Sequence, residues 1–158
     1  MDPKTFPDYM EFAIREAQLA FEESEVPVGA IIVHNNRIIG RGHNRTEAMH
    51  DATAHAEIIA MSAAYSHFDD WRLEDCYLFS TLEPCLMCTG AAILSRINTI
   101  VYAAPDLRFG GCGSVISVPK DNKLNHYCKV VGGVREAEVA ELMRTFFQQV
   151  RKGKNKVN

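Results

Sequence analysis

The run CYLFSTLEPCLMCTGAAILSRINTIVYA, Cys76–Ala103, decides the fold. Its first part, Cys76–Thr81, is short, apolar and rich in strand-forming residues, as a buried strand is. Pro84 suits the first turn of a helix that continues to about Leu94. Thr99–Ala103 then reads as another core strand. Strands joined through a helix favour parallel pairing, because a tight turn cannot bring the chain back in the same direction. Within this unit, Pro84-Cys85-Leu86-Met87-Cys88 places two thiols three apart at a helix start, where both project from one face. Unpaired N–H groups and the positive end of the helix dipole favour thiolates there.

Working outward, Asp8 to about Glu25 carries Met10, Ala13, Ile14, Ala17, Ala20 and Phe21 at helical spacing, and Pro27 is expected to end that helix. Val28–Val33 and Arg37–Gly42 flank the turn signal Asn35-Asn36 and predict an antiparallel hairpin. Thr53 can cap a helix running to about Tyr65. Downstream lie a Pro/Gly loop from Pro105 to Gly113, a weaker strand near Cys128–Val131 and a final helix from about Glu136 to Val150. This order predicts an α/β fold, a three-layer α-β-α sandwich around a mixed five-stranded sheet. The expectation is one domain over residues 1–158, with a basic end at about 151–158 that frays.

The chain has 158 residues, is 47% hydrophobic and carries a formal net charge of −3, which excludes a globally basic nucleic-acid coat but leaves room for a local basic patch. No apolar run approaches the roughly 20 residues of a membrane span. Met1-Asp2-Pro3-Lys4-Thr5-Phe6-Pro7-Asp8 lacks the basic start and apolar stretch of a secretion signal. Five cysteines, two of them at C-x-x-C spacing, argue against a disulfide framework and for a reducing compartment, by default the cytoplasm.

The second informative word is His55-Ala56-Glu57. His55, Cys85 and Cys88 are three zinc ligands, so a tetrahedral ion keeps one position for water, whereas a structural site closes it with a fourth protein ligand. Glu57 can then serve that water as general acid/base without binding the metal. Taken singly, a histidine at a helix start is more often a cap, and a lone C-x-x-C is as often redox-active or structural. Cys112 or Cys128 as a fourth ligand would also make the site structural and leave Glu57 without a task. Together, the words are similar to the H-x-E…P-C-x-x-C signature of zinc deaminases acting on nucleobases. Cys76 reads as a buried apolar residue, and His50, His67 and His126 as surface or hydrogen-bonding groups.

Beyond the site, the chain resembles the bacterial tRNA-specific adenosine deaminases from about residue 8 to 152. The resemblance rests on Glu25-Val26-Pro27-Val28-Gly29-Ala30, Gly42-His43-Asn44-Arg45, Thr53–Ile58 and Thr81–Ala91, then on Ser95-Arg96-Ile97, Asp106–Ser114, Leu124-Asn125-His126 and Phe146-Phe147. It implies a cytidine deaminase-like fold, one Zn2+ per subunit, a homodimer with no membrane role, and hydrolysis of adenosine to inosine at the wobble position of a tRNA anticodon stem-loop. By position, Asn44 would hydrogen-bond the flipped purine, Val28 would line its pocket and the Ala56 backbone would help hold the base. Asp106, Arg108 and the loop to Ser114 would approach the anticodon backbone, and Phe147 would contact a neighbouring base. Ala52 where the family commonly has Pro, Arg108 for the frequent Lys, and Phe109 with the following glycines depart from the pattern and bear on RNA contacts. Arg144, Arg151, Lys152, Lys154 and Lys156 form a basic end that can track phosphates or simply be a solvated helix terminus. Two other readings share the metal words: a deaminase of a free base, nucleoside or nucleotide such as guanine or dCMP, and an inactive RNA-binding subunit with structural zinc.

Overall fold

The computed structural model describes residues 1–120 and 123–154. Helix α1 (Phe6–Glu22) is followed by strands β1 (Gly29–His34) and β2 (Arg37–His43) and a single-turn helix α2 (Thr46–Met49). Helix α3 (Ala56–Tyr65), strand β3 (Tyr77–Leu82), helix α4 (Leu86–Leu94), strand β4 (Thr99–Ala104), strand β5 (Lys129–Val131) and helix α5 (Glu136–Lys154) complete the order. The five strands form one sheet in the order β2-β1-β3-β4-β5. β1 is antiparallel to both β2 and β3, while β3–β4 and β4–β5 are parallel, so the sheet is mixed as expected.

Period-two alternation in the strands divides the core. Ala30, Ile32, Leu78 and Ile100 face one side with Ala56, Ala60 and Met61 of α3 and Ala92 and Ile93 of α4. Ile31, Val33, Phe79 and Val101 face the other, with Phe6, Met10, Ala13 and Ile14 of α1 and Val139 of α5. These are the three layers. Burying each of the larger apolar side chains contributes about 1.5–3 kcal/mol, and Phe79, Met10, Ile31, Ile32 and Leu78 are all fully enclosed. Helix α1 lies so close to β1 that a Cβ on Gly29 would stand 2.2 Å from the Ala13 carbonyl oxygen. On the opposite face, a Cβ on Gly42 would stand 2.5 Å from the Ala56 oxygen, which fixes the start of α3 against the end of β2.

Several boundaries differ from the sequence reading. Helix α1 ends at Glu22 rather than near Glu25, because Ser24 takes φ 63°, Ser24 N–H donates to Phe21 O and Glu25 N–H donates to Ala20 O. That left-handed stop acts before Pro27 can. The hairpin turn has φ 48° at Asn35 and 60° at Asn36, the mirror-image turn that matches strand twist. Thr53 is not the cap of α3: its N–H and hydroxyl both donate to Asp51 Oδ1, and His55 takes the cap position. Pro84 precedes the capping residue Cys85 instead of entering the helix. Helix α2 and the 3-10 turns at Pro3–Thr5 and Val118–Lys120 were not anticipated. Of the basic end, residues 151–154 continue α5, and residues 155–158, Lys156 among them, lie outside the described residues.

Candidate metal centre

The centre forms where the first turns of α3 and α4 meet beyond the C-terminal end of β3. The chain enters both helices through extended backbone, His55 at φ −77°, ψ 151° and Cys85 at φ −67°, ψ 174°. Neither side chain makes a capping hydrogen bond, which frees both to face each other. His55 Nδ1 lies 3.6 Å from Cys85 Sγ and 3.5 Å from Cys88 Sγ, and the three ligand atoms all fall within 4.8 Å of one another. Nitrogen and sulfur donors at about 2.1 and 2.3 Å from one tetrahedral ion stand about 3.6 Å apart, so the triangle has the size zinc requires. Two thiols and an imidazole are also the donor chemistry zinc takes. It is the only such cluster among the described residues, and neither Cys112 nor Cys128 joins it.

Their protons are shared. Cys85 is pushed down to about 4 by its hydrogen bond with Cys88, with His55 adding to the effect against burial. Cys88 is raised by that same bond and by burial. His55 is raised by its contact with Cys85. Glu57, two residues into the motif and 3% exposed, has its carboxyl raised by burial, which outweighs the neighbouring His55 and a hydrogen bond with Cys88. A buried carboxyl next to the three ligand atoms is suited to accept and return a proton.

Two further buried acids shape the rim. Glu83, 1% exposed, accepts from the N–H groups of Asp106 (3.1 Å), Cys112 (3.0 Å) and Ser114 (3.0 Å) and from the Ser114 hydroxyl. It therefore ties the loop after β4 to the residue preceding Pro84. Gly111 N–H donates to Pro84 O at 2.8 Å, and Cys85 bridges Gly110, so the loop lies directly against the Cys85 side of the centre. Glu25, also 1% exposed, accepts from Asn44 Nδ2 (3.3 Å), Thr46 Oγ1 (3.4 Å) and the N–H groups of Glu47 (3.3 Å) and Ala48 (2.7 Å). Glu25 and Glu83 both sit inside the quoted motifs, but their partners lie 19 to 31 residues away, and only the combination of an acid with an otherwise apolar stretch hinted at burial.

The remaining expected residues fall around this core. Ala56 is fully buried, Asn44 is 6% exposed and Val28 is half-buried against the α3–α4 side of the sheet. Arg45 N–H donates to Ala54 O at 3.0 Å, which ties the segment of Asn44 to the residue before His55. Asp106 Oδ1 accepts from Arg108 N and Phe109 N, so its carboxylate holds the loop turn, while the Arg108 side chain is exposed with no partner among the described residues. The Ser114 hydroxyl is engaged by Glu83. Phe147, on α5, stacks edge-on against Phe146 at 5.4 Å and is 40% exposed. Arg96 donates to Asn125 Oδ1 at 2.8 Å and lies 5.9 Å from the Trp71 ring centroid. Arg144 pairs with Glu141, while Cys76 is buried as expected.

Residues 4–104 match the model of the cytidine and deoxycytidylate deaminase zinc-binding region. A tRNA-specific adenosine deaminase of Streptococcus pyogenes serotype M18 is 42% identical over 146 residues, covering 92% of both chains. The protein of the same description from Aquifex aeolicus is 43% identical over 143 residues, 90% of this chain and 94% of its own. A solved structure from studies of A-to-I editing by tRNA:A34 deaminases at the wobble position of transfer RNA superposes with a TM-score of 0.82 at 38% identity, covering 85% of this chain and 98% of that one. A guanine deaminase from Nitrosomonas europaea superposes with a TM-score of 0.73 at 23% identity, covering 89% of this chain and 83% of that one, a likeness of fold.

Proposed function

The chain belongs to the cytidine and deoxycytidylate deaminase zinc-binding family, within the group of tRNA-specific adenosine deaminases, and from that premise we propose that it converts adenosine to inosine at the wobble position of a tRNA anticodon. The observation that carries the chemistry is the His55/Cys85/Cys88 triangle with buried Glu57 beside it. His55, Cys85 and Cys88 would hold one zinc ion per subunit. Zinc, when bound, supplies Lewis acidity that makes water nucleophilic near neutral pH. Glu57 takes a proton from the attacking water and returns it to the ring nitrogen next to the amino-bearing carbon. It then carries the proton of the newly added hydroxyl to the departing amine, so that a C–O bond replaces the C–N bond and water and adenosine become inosine and ammonia.

Asn44, Val28 and the Ala56 backbone hold the flipped base. Asp106, Arg108 and Ser114 form the side of the cleft that meets the anticodon backbone, and Phe147 meets a neighbouring base. The loop from Asp106 to Ser114 supports this reading through its contact with Pro84 and Cys85. The protein acts as a homodimer in the cytoplasm. Helix α4 supports the dimer: LMCTGAAIL has no charged residue, yet Leu86 is 55% and Leu94 70% exposed on its outer side. Five free cysteines and a tRNA substrate support the compartment.

The test is incubation of the zinc-loaded protein with an anticodon stem-loop carrying a wobble adenosine, with guanine and dCMP in parallel. Inosine, read as G at that single position, is the expected product. Ammonia released from guanine or dCMP with no change in the stem-loop would move the substrate to a free base or nucleotide. Zinc bound without ammonia from any of them would leave a structural site.

A further inference from the structure

Asn44 and Glu25 are separated by 19 residues in the chain and meet in the interior beside the entry to α3. Their contact has a direction. Glu25 Oε1 accepts the Ala48 N–H and Oε2 accepts the Glu47 N–H, so both carboxyl oxygens are already committed as acceptors by the backbone. A group that meets Oε2 must therefore donate, and the Asn44 side chain can do so only through its amide nitrogen. Nδ2 donates to Glu25 at 3.3 Å and to Thr46 Oγ1 at 3.4 Å, which uses both of its hydrogens. The Thr46 hydroxyl in turn donates to Glu25. The Asn44 backbone is pinned too, its N–H donating to Val28 O at 3.0 Å. What remains of this almost fully buried side chain is Oδ1, the one polar atom with no partner among the described residues.

From this we infer that Glu25 is a positioning residue that fixes which way the Asn44 amide faces, so that Asn44 meets the substrate base with a hydrogen-bond acceptor. This rests on the reading that Asn44 contacts the base. An acceptor at that point favours a base edge that presents an N–H donor and disfavours one that presents only acceptors. Without the Glu25 acceptor, the amide can turn over and offer N–H instead. The discrimination then lies in a residue that never touches the base.

The experiment uses Glu25→Gln, Asn44→Ala, Asn44→Asp and the two double variants carrying Glu25→Gln, all zinc-loaded. Each is read for metal content, melting temperature, and kcat and KM on the stem-loop. Glu25→Gln is expected to lower kcat/KM about tenfold or more, the scale of one misdirected hydrogen bond. In the Asn44→Ala background the same change is expected to cost less than about twofold, because the two residues act through one contact. Asn44→Asp alone sets two carboxyl groups against each other and should lower the melting temperature. Adding Glu25→Gln supplies a donor, and should recover both melting temperature and part of kcat/KM, because an acceptor again faces the base. This rescue also reads the contact if Glu25→Gln alone folds poorly. Equal losses from Glu25→Gln in both backgrounds, or no rescue of Asn44→Asp, would overturn the inference while leaving Asn44 as a base contact. An Asn44→Ala protein with unchanged kcat/KM would overturn that underlying reading, and the inference with it.

Discussion

Replacing Glu83 with alanine should release the loop that walls the metal centre. The side chain is 1% exposed and accepts three amide hydrogens and one hydroxyl hydrogen from residues 106, 112 and 114. Hydrogen bonds to a charged acceptor contribute net about 1.5–3 kcal/mol each when fully enclosed. Only the Cys112 amide is deeply buried, so its loss leaves an orphaned donor at about 1–3 kcal/mol. Water can reach Ser114 and, in part, Asp106, so those three contacts return about 0.5–1 kcal/mol each when broken. The expected loss is about 3–5 kcal/mol, a third or more of a typical domain's stability. Urea unfolding of the zinc-loaded proteins measures it, and amide hydrogen exchange at residues 106, 112 and 114 locates it. A loss below about 1 kcal/mol, or unchanged protection of those three amides, would refute the argument.

The same carboxyl gives the loop an acid limit. Burial opposes its ionisation, but the Ser114 hydroxyl and the amides of Ser114, Asp106 and Cys112 outweigh it and hold Glu83 below the usual carboxylate range. A group lowered on folding stabilises the native state above its ordinary pKa of about 4.3 and loses that contribution as pH falls through the lowered value. The stability gap between wild type and Glu83→Ala should therefore be full near neutrality and shrink below about pH 4. A gap that widened on acidification would reverse the assignment.

Other expectations follow from the centre and its supports. Glu57→Gln should keep its zinc, checked by elemental analysis, while deamination falls about 10²–10⁴-fold, the range for a lost general acid/base; near-normal turnover would remove Glu57 from the chemistry. Gly29→Ala puts a methyl group 2.2 Å from the Ala13 oxygen and 2.3 Å from the Ala17 nitrogen, both backbone atoms. It should cost about 3 kcal/mol or more in denaturant unfolding, and a change within about 0.5 kcal/mol would mean α1 is not held as described. The proposed dimer predicts that wild type sediments as a dimer and the Leu86→Glu, Leu94→Glu double variant as a monomer; a double variant that remained dimeric would place the interface elsewhere.

The cluster of His55, Cys85 and Cys88 and the central strand–helix–strand unit were legible because their information is local: three residues for His55-Ala56-Glu57, five for the cysteine word, and alternation within each strand. The mixed sheet followed from the hairpin turn and the helical connection. The entry to α3 differs at Thr53 because its N–H and hydroxyl are both taken by Asp51 Oδ1, a contact that forms a turn two residues ahead of the cap position. Arg96 takes φ 64° after α4, with Arg96 N–H to Ile93 O and Ile97 N–H to Ala92 O closing the helix as at Ser24. The roles of Glu25 and Glu83 depend on contacts formed only after the chain has returned to itself, so no window of sequence contains them.

Both α3 and α4 begin at a residue whose side chain is turned away from its own helix. An ordinary Ser or Asp in that place would add about 1 kcal/mol by covering a first-turn amide. Here the two openings are secured from outside, by whatever draws His55 and Cys85 together. Stripping the metal should thus do more than silence the enzyme: the leading turns at Ala56 and Leu86 should fray, and reloading should rewind them. Metal loading and the order of these two first turns would then be linked, and a chelator should lower the melting temperature of the loaded protein.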